Sequence, residues 1–225
     1  MQHILAKVIP EHGLYRARKK RALIGISVKR RVEETFLNFP AVFAWTGQQF
    51  GSADVLVGDY LNRHNYQAFD GATQAEASAR AISDGDQAIK WFSQLASLNV
   101  AQPSIVILAK SLFGDVTFRP RLARFETEYA RNVKFRALID EAVDKFLIRK
   151  RAGALHNNEV RDHCVSYQLE ELALFELLVE RGYGVLIYAG AQLPIMKAIV
   201  SRSLDGVPTS LADLTLVELR SFRPR

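Results

Sequence analysis

An α/β fold, with a mostly parallel sheet and helices on both faces, is what this sequence predicts, and three observations carry the prediction. Short apolar runs rich in β-branched residues recur between turn signals, and most are separated by longer stretches with helical spacing. The runs are nearly continuous in apolar residues, as in strands buried on both faces. Their order alternates strand and helix, which connects right-handedly into a parallel sheet.

The strands are expected at HILAKVI (residues 3–9), ALIGIS (22–27), DVLVGD (54–59), SIVILA (104–109) and GVLIY (184–188). Helices are expected over 33–50 and 73–98. The second opens TQAEASARA, in which Thr73 caps good helix formers and Glu76 stands at the capping-box position. A long charged stretch covers 119–151, and a further helix over 157–181 stops at Gly182. No repeat, low-complexity tract or linker divides the chain. Residues 1–225 are therefore expected to form one domain, with 119–181 as a helical elaboration on it.

Apolar residues at 48% and charged residues at 24% exclude a disordered or fibrous chain. Thirty Lys and Arg against 24 Asp and Glu give +6, a balance suited to a polyanionic partner such as nucleic acid. The one cysteine, Cys164, excludes an internal disulfide and a cysteine metal cluster, and reads as a small buried hydrophobe in a reducing compartment. No apolar run approaches the roughly 20 residues of a membrane span, and MQHILAKVIPEHG lacks a basic segment followed by a long apolar one. A cytoplasmic protein is expected, and nothing demands more than a monomer.

In an open parallel sheet, ligands bind outside the carboxyl ends of the strands. That rule selects Ser27, Asp59 and Tyr188, which close the second, third and fifth runs and are expected to face one crevice. Gly25 removes a side chain where a substrate or a neighbouring backbone would be crowded. On position alone Ser27 reads first as a hydroxyl capping the next turn. The nucleophile elbow G-x-S-x-G is not met, since Lys29 stands where its second glycine belongs. None of His3, His12, His64, His156 and His163 has an evident catalytic setting.

A second feature is YQLEELALF, residues 167–175. On a helix Tyr167 and Glu171 are neighbours on a stripe that continues through Leu174 and Leu178. A carboxylate on such an apolar face must find a partner or stay neutral. A phenol with a carboxylate makes a cradle for a substrate ammonium. An ordinary surface pair beside Glu170 fits the pattern as well.

Basic clusters follow at Arg16, Arg18, Lys19, Lys20 and Arg21; at Lys29, Arg30 and Arg31; at Arg119, Arg121 and Arg124; and at Arg149, Lys150 and Arg151. The first two flank the strand ending at Ser27, so a polyanion bound there would bring its end near the hydroxyl. Neither G-x-G-x-x-G after the first strand nor a P-loop is present, and the H-I-G-H and K-M-S-K-S elements of class I aminoacyl-tRNA synthetases are missing. No cofactor and no metal are expected. Any ester handled here arrives already activated.

Taken in order, RALIGIS (21–27), WTGQQFGSADVLVGD (45–59), YQLEE (167–171) and VLIY (185–188) resemble the tRNA-dependent cyclodipeptide synthases, and the resemblance runs over most of the chain. It implies a single Rossmann-like domain similar to the catalytic domains of tyrosyl and tryptophanyl-tRNA synthetases, without ATP binding. The implied reaction joins amino acids from two aminoacyl-tRNAs into a cyclic dipeptide by a ping-pong mechanism, through aminoacyl and dipeptidyl esters on Ser27. Tyr167 and Glu171 match the pair that holds the aminoacyl ammonium. Tyr188 matches the tyrosine of proton relay, and Gly25 lines the same pocket. Arg30 stands where one half of the family has Asn, which places the chain with the other half. Ala189 stands where that other half usually has Pro.

The first aminoacyl pocket, by the same resemblance, is lined by Leu23, Leu56, Leu112, Leu174, Phe175 and Leu186, and implies a hydrophobic first residue. The second lies near Ala142, Arg149 and Gly190. The tRNA contacts are expected at Lys19, Lys20, Lys29, Arg31, Arg149, Lys150 and Arg151. A different class remains open: a non-catalytic RNA-binding module on a synthetase-like fold, with a structural Ser27. A serine acyl hydrolase lacks its triad histidine.

Overall fold

The computed structural model describes residues 3–10, 20–27, 39–51, 53–97, 105–150, 157–188, 192–204, 207 and 209–222. The strands are β1 His3–Ile9, β2 Arg21–Ile26, β3 Ala53–Val57, β4 Val106–Leu108, β5 Tyr183–Tyr188 and β6 Thr215–Phe222. They form one six-stranded sheet in the order β1-β6-β5-β2-β3-β4. The pairs β6/β5, β5/β2, β2/β3 and β3/β4 are parallel, and β1/β6 alone is antiparallel. The five expected strands all form, and the fold is α/β and Rossmann-like.

Two expectations about the sheet are corrected. β1 is not a parallel strand: it runs antiparallel along the outer edge of β6, where a βαβ crossover is not needed. β6 lies between β1 and β5 in a segment with no expected strand. Its TLVELRSF carries Glu218 and Arg220 among apolar residues, and the buried Glu218 is compensated by Lys197 Nζ at 2.5 Å.

The helices are α1 Phe39–Phe50, α2 Arg63–Asp70, α3 Gln74–Ser97, α4 Ala109–Phe113, α5 Phe118–Arg131, α6 Val133–Arg149, α7 Asn158–Glu180 and α8 Pro194–Val200. The Thr73 capping box opens α3, with Glu76 Oε2 accepting from Thr73 N at 2.9 Å. The stop after α7 is Gly182 at φ 93°. The described part of the charged stretch, 119–150, forms two helices broken at Asn132, whose side chain accepts from Phe135 N at 3.1 Å and so caps α6. α2, α4 and α8 were not expected, and residues 33–38 of the first expected helix lie outside the described residues.

Strand alternation divides the core in two. Ala22, Ile24 and Ile26 of β2, with Val55 and Val57 of β3, pack with α1 and α3. Leu23, Leu56, Leu186 and Leu216 pack on the opposite face with α5, α6, α7 and α8. α7 is the centre of that second layer, with an unbroken buried run from Leu169 to Leu178. A helix enclosed on every side buries its polar residues too, so Glu170, Glu171 and Glu176 are all interior.

Candidate active site

Ser27 follows the last residue of β2, and the alternation that sends Leu23 toward α7 sends Gly25 and Ser27 the same way. Tyr188 ends β5 in parity with Leu186 and lies beside Gly25 in the β2/β5 register. α7 supplies Tyr167 and Glu171 from above. The Ser27 and Tyr167 hydroxyls share a hydrogen bond, and Glu171 and Tyr188 stand close enough to act electrostatically on the same phenol. All four expected catalytic residues therefore meet at the carboxyl end of the sheet.

Ser27 is exposed and Tyr167 and Tyr188 are half-buried, so the group opens to solvent at the serine, while Glu171 is buried. Burial, then the neighbouring Glu171 and Tyr188, push the Tyr167 phenol well above its ordinary range, and the Ser27 hydrogen bond pulls it partly back. Burial alone raises the Glu171 carboxyl to about 7. Among the described residues Glu171, 8% exposed, takes part in no hydrogen bond or ion pair. It is a buried carboxyl, not the surface pair that its sequence pattern also allowed.

Gly25 has a sharper explanation than the sequence offered. A Cβ there would meet Cδ2 and Cε2 of Tyr188 at 3.0 Å, so the glycine makes room for the tyrosine ring and not for a backbone. Asp59, expected in the same crevice, lies elsewhere: β3 ends at Val57 and the backbone at Asp59 is already helical, at φ −60° and ψ −65°. A Cβ built on Gly58 would lie 3.8 Å from Tyr167 Oη, whereas Asp59 turns the other way, toward Gly85 of α3. There its Oδ1 accepts from Lys110 N at 3.1 Å while Oδ2 stays unpartnered, and burial raises its carboxyl.

Leu23, Leu56, Leu112, Leu174, Phe175 and Leu186 are all buried in one cluster against α7. Ala142 is buried on α6, and Arg149 is exposed at its end. Gly190 and Ala189 lie outside the described residues, as do Lys19, Lys29, Arg30, Arg31 and Arg151.

Ion pairing sorts the basic clusters. Arg21 is bound to Asp54 and to Tyr183 Oη, and Arg121 and Arg124 are bound to Glu176 and Glu180. Lys20, exposed, lies over Gly184 and donates to Asp213 O at 3.0 Å. Arg149 and Lys150 are exposed where α6 ends, with Lys150 Nζ over the Phe69 and Phe146 rings.

The sequence reading missed the polar segment after β3. Arg63 and His64 of α2 both bind Glu170 of α7, and Tyr66 Oη and Asn62 Nδ2 both donate to Asp84 of α3. The available signal was position, because GDYLNRHNY follows directly on a strand's carboxyl end. Among the described residues no group of three or more His, Cys, Asp or Glu side chains is placed to hold a metal ion. No helix there is long and apolar enough to cross a membrane.

A sequence model described as cyclodipeptide synthase matches residues 14–204. The chain belongs to the cyclodipeptide synthase family. Members are aminoacyl-tRNA-dependent transferases that form peptide bonds, and the expected enzyme class is borne out. Among solved structures, a cyclodipeptide synthase from Fluoribacter dumoffii is 21% identical with a TM-score of 0.82, over 99% of each chain. One from Candidatus Glomeribacter gigasporarum, bound to Phe-tRNAPhe, is 22% identical with a TM-score of 0.65, over 93% of this chain and 91% of that one. A Mycobacterium tuberculosis protein, described as relating cyclodipeptide synthetases to type I tRNA synthetases, is 16% identical with a TM-score of 0.71, over 97% and 92%. These likenesses give this cyclodipeptide synthase its fold. No curated protein matches it.

Proposed function

We propose that this cyclodipeptide synthase works by a ping-pong mechanism on Ser27, drawing on two aminoacyl-tRNAs in turn. The observation that carries the reading is the Ser27–Tyr167 hydrogen bond beside the buried, unpartnered Glu171. In the first step Ser27 Oγ attacks the ester carbonyl of an aminoacyl-tRNA. The seryl proton passes to the departing ribose oxygen, and the aminoacyl group stays on Ser27 as an ester. One oxygen ester replaces another, so the exchange is nearly isoergic and needs no nucleotide.

Glu171 and Tyr167 hold the ammonium of the aminoacyl group, first as it arrives on tRNA beside Ser27 Oγ and then on the seryl ester. A carboxyl raised to about 7 is matched to an amine's proton: Glu171 accepts it and leaves a neutral nucleophile in place. The amine attacks the ester carbonyl of the second aminoacyl-tRNA, which leaves a dipeptidyl ester on Ser27 and releases the second tRNA. The new amino end then attacks the seryl ester, closing the six-membered ring and freeing Ser27. Tyr188, beside Tyr167, relays protons during closure. Holding amine and ester together supplies much of the rate.

The buried leucines and Phe175 against α7 favour a hydrophobic first aminoacyl group. Arg149 and Lys150, with Lys19, Lys20, Lys29, Arg31 and Arg151, are the cations proposed for the tRNA backbone. The test is incubation with a mixture of charged tRNAs and mass spectrometry for diketopiperazines. Ser27→Ala should abolish product and keep tRNA affinity; tight tRNA binding with no product from the native chain would favour a non-catalytic RNA-binding module.

A further inference from the structure

The polar segment after β3 binds α7 one residue away from Glu171. Glu170 is buried, and both its oxygens are taken: Oε1 by Arg63 NH2 at 2.5 Å and Oε2 by His64 Nε2 at 2.8 Å. Arg63 is itself fixed on every side. It donates to Tyr60 O at 2.8 Å, and its guanidinium lies 4.3 Å from the Tyr60 ring centre and 4.9 Å from that of Phe113. Those two rings meet edge to face at 5.0 Å. One guanidinium thus joins the turn at Tyr60–Asn62, the start of α2, the end of α4 and the middle of α7.

A buried ion pair is a poor source of stability, because desolvating both charges offsets most of their attraction. What it does supply is a single geometry. Two fixed acceptor positions on Glu170 allow α7 one rotation and one height relative to the end of β3. Tyr167 lies one helical turn before Glu170, and Glu171 follows it directly, so both are set by that choice. Leu112, beside Phe113, is tied to the same point.

We propose that Arg63 and His64 are positioning residues for the ammonium site, acting through Glu170 to place Tyr167 and Glu171 over Ser27. The proposal rests on the mechanism given above. Displacing a reacting group by about 1 Å costs about 10²-fold in rate, so a loosened α7 slows acylation of Ser27 without weakening tRNA contacts made elsewhere.

The test is single-turnover acylation of the full chain by charged tRNA, read by mass spectrometry, together with KM for aminoacyl-tRNA and thermal melting. The key variant is Arg63→Met with Glu170→Leu, which removes both charges at similar volume, and its thermal melting checks that it folds. It is expected to acylate Ser27 about 10- to 100-fold more slowly with KM near the native value. Glu170→Gln, which keeps acceptor and donor in place, should recover most of that loss. In a Glu171→Gln background the same pair of changes should add little, since both act at one point. A native acylation rate in the double variant, or an undiminished further loss in the Glu171→Gln background, overturns the proposal and leaves the mechanism standing. A native chain that neither acylates Ser27 nor makes diketopiperazine overturns the mechanism, and the proposal with it.

Discussion

Two adjacent glutamates on α7 have opposite fates. Glu170 and Glu171 are both buried, at 7% and 8% exposure, on the same turn of the same helix. Glu170 spends both oxygens on Arg63 and His64, and Glu176 one turn further on is likewise closed by Arg124 and by Ser210 Oγ. Glu171 has none of this, and its carboxyl is raised to about 7. Closed carboxylates fix one geometry at little net cost; an open one is a cost that the fold carries for something else. The difference separates structure from function on a helix whose composition does not.

The strongest way to break the comparison is Glu171→Gln. It should slow diketopiperazine formation by about 10²- to 10⁴-fold, the usual range for losing a positioned acid–base group. A near-native rate would make Glu171 as structural as its neighbours.

The next largest effect is on stability. In the unfolded chain Glu171 gives up its proton around its ordinary 4.5, whereas in the folded chain it keeps it to about 7. Its contribution is fully present below 4.5 and is lost as pH rises through 7, a fall of about 3 kcal/mol. Melting from pH 4.5 to 8 should show that slope in the native protein, and Glu171→Gln should remove it and melt higher at pH 8.

Glu176→Gln tests the closed side. It should cost about 1–3 kcal/mol in denaturant unfolding while the rate of product formation holds. Smaller again is Gly25→Ala, whose new Cβ displaces the Tyr188 ring from 3.0 Å contact. Overpacking of this kind costs about 1–3 kcal/mol, and it should appear as a rate loss of about tenfold, because the displaced ring belongs to the site. The smallest change is expected from Arg149→Glu with Lys150→Glu, at the exposed end of α6. KM for aminoacyl-tRNA should rise several-fold and its salt dependence flatten by about two phosphate contacts.

Much of this was legible in the sequence, for physical reasons that also explain what was not. The strands β2 to β5 announce themselves because strands buried on both faces need continuous apolar runs. β6 does not, because the charge of Glu218 is cancelled by Lys197 from α8, a pairing across sequence that no local pattern carries. The direction of β1 is invisible for the same reason: it depends on β6. In the site, Ser27, Tyr188 and the i, i+4 pair Tyr167 and Glu171 could be placed by strand ends and helix spacing. Arg63, His64 and Glu170 could not, since their meaning lies in a contact between positions more than 100 residues apart. Asp59 was misplaced because β3 ends two residues before it, and the helical backbone there turns its side chain toward Gly85 of α3.

The most direct test of the account is to mix the protein with one charged tRNA, quench within seconds, digest, and weigh the peptide containing Ser27. The account predicts an added aminoacyl mass on Ser27 that disappears when a second charged tRNA is supplied and diketopiperazine forms. Diketopiperazine made while that peptide never gains mass, or made by Ser27→Ala, would contradict it.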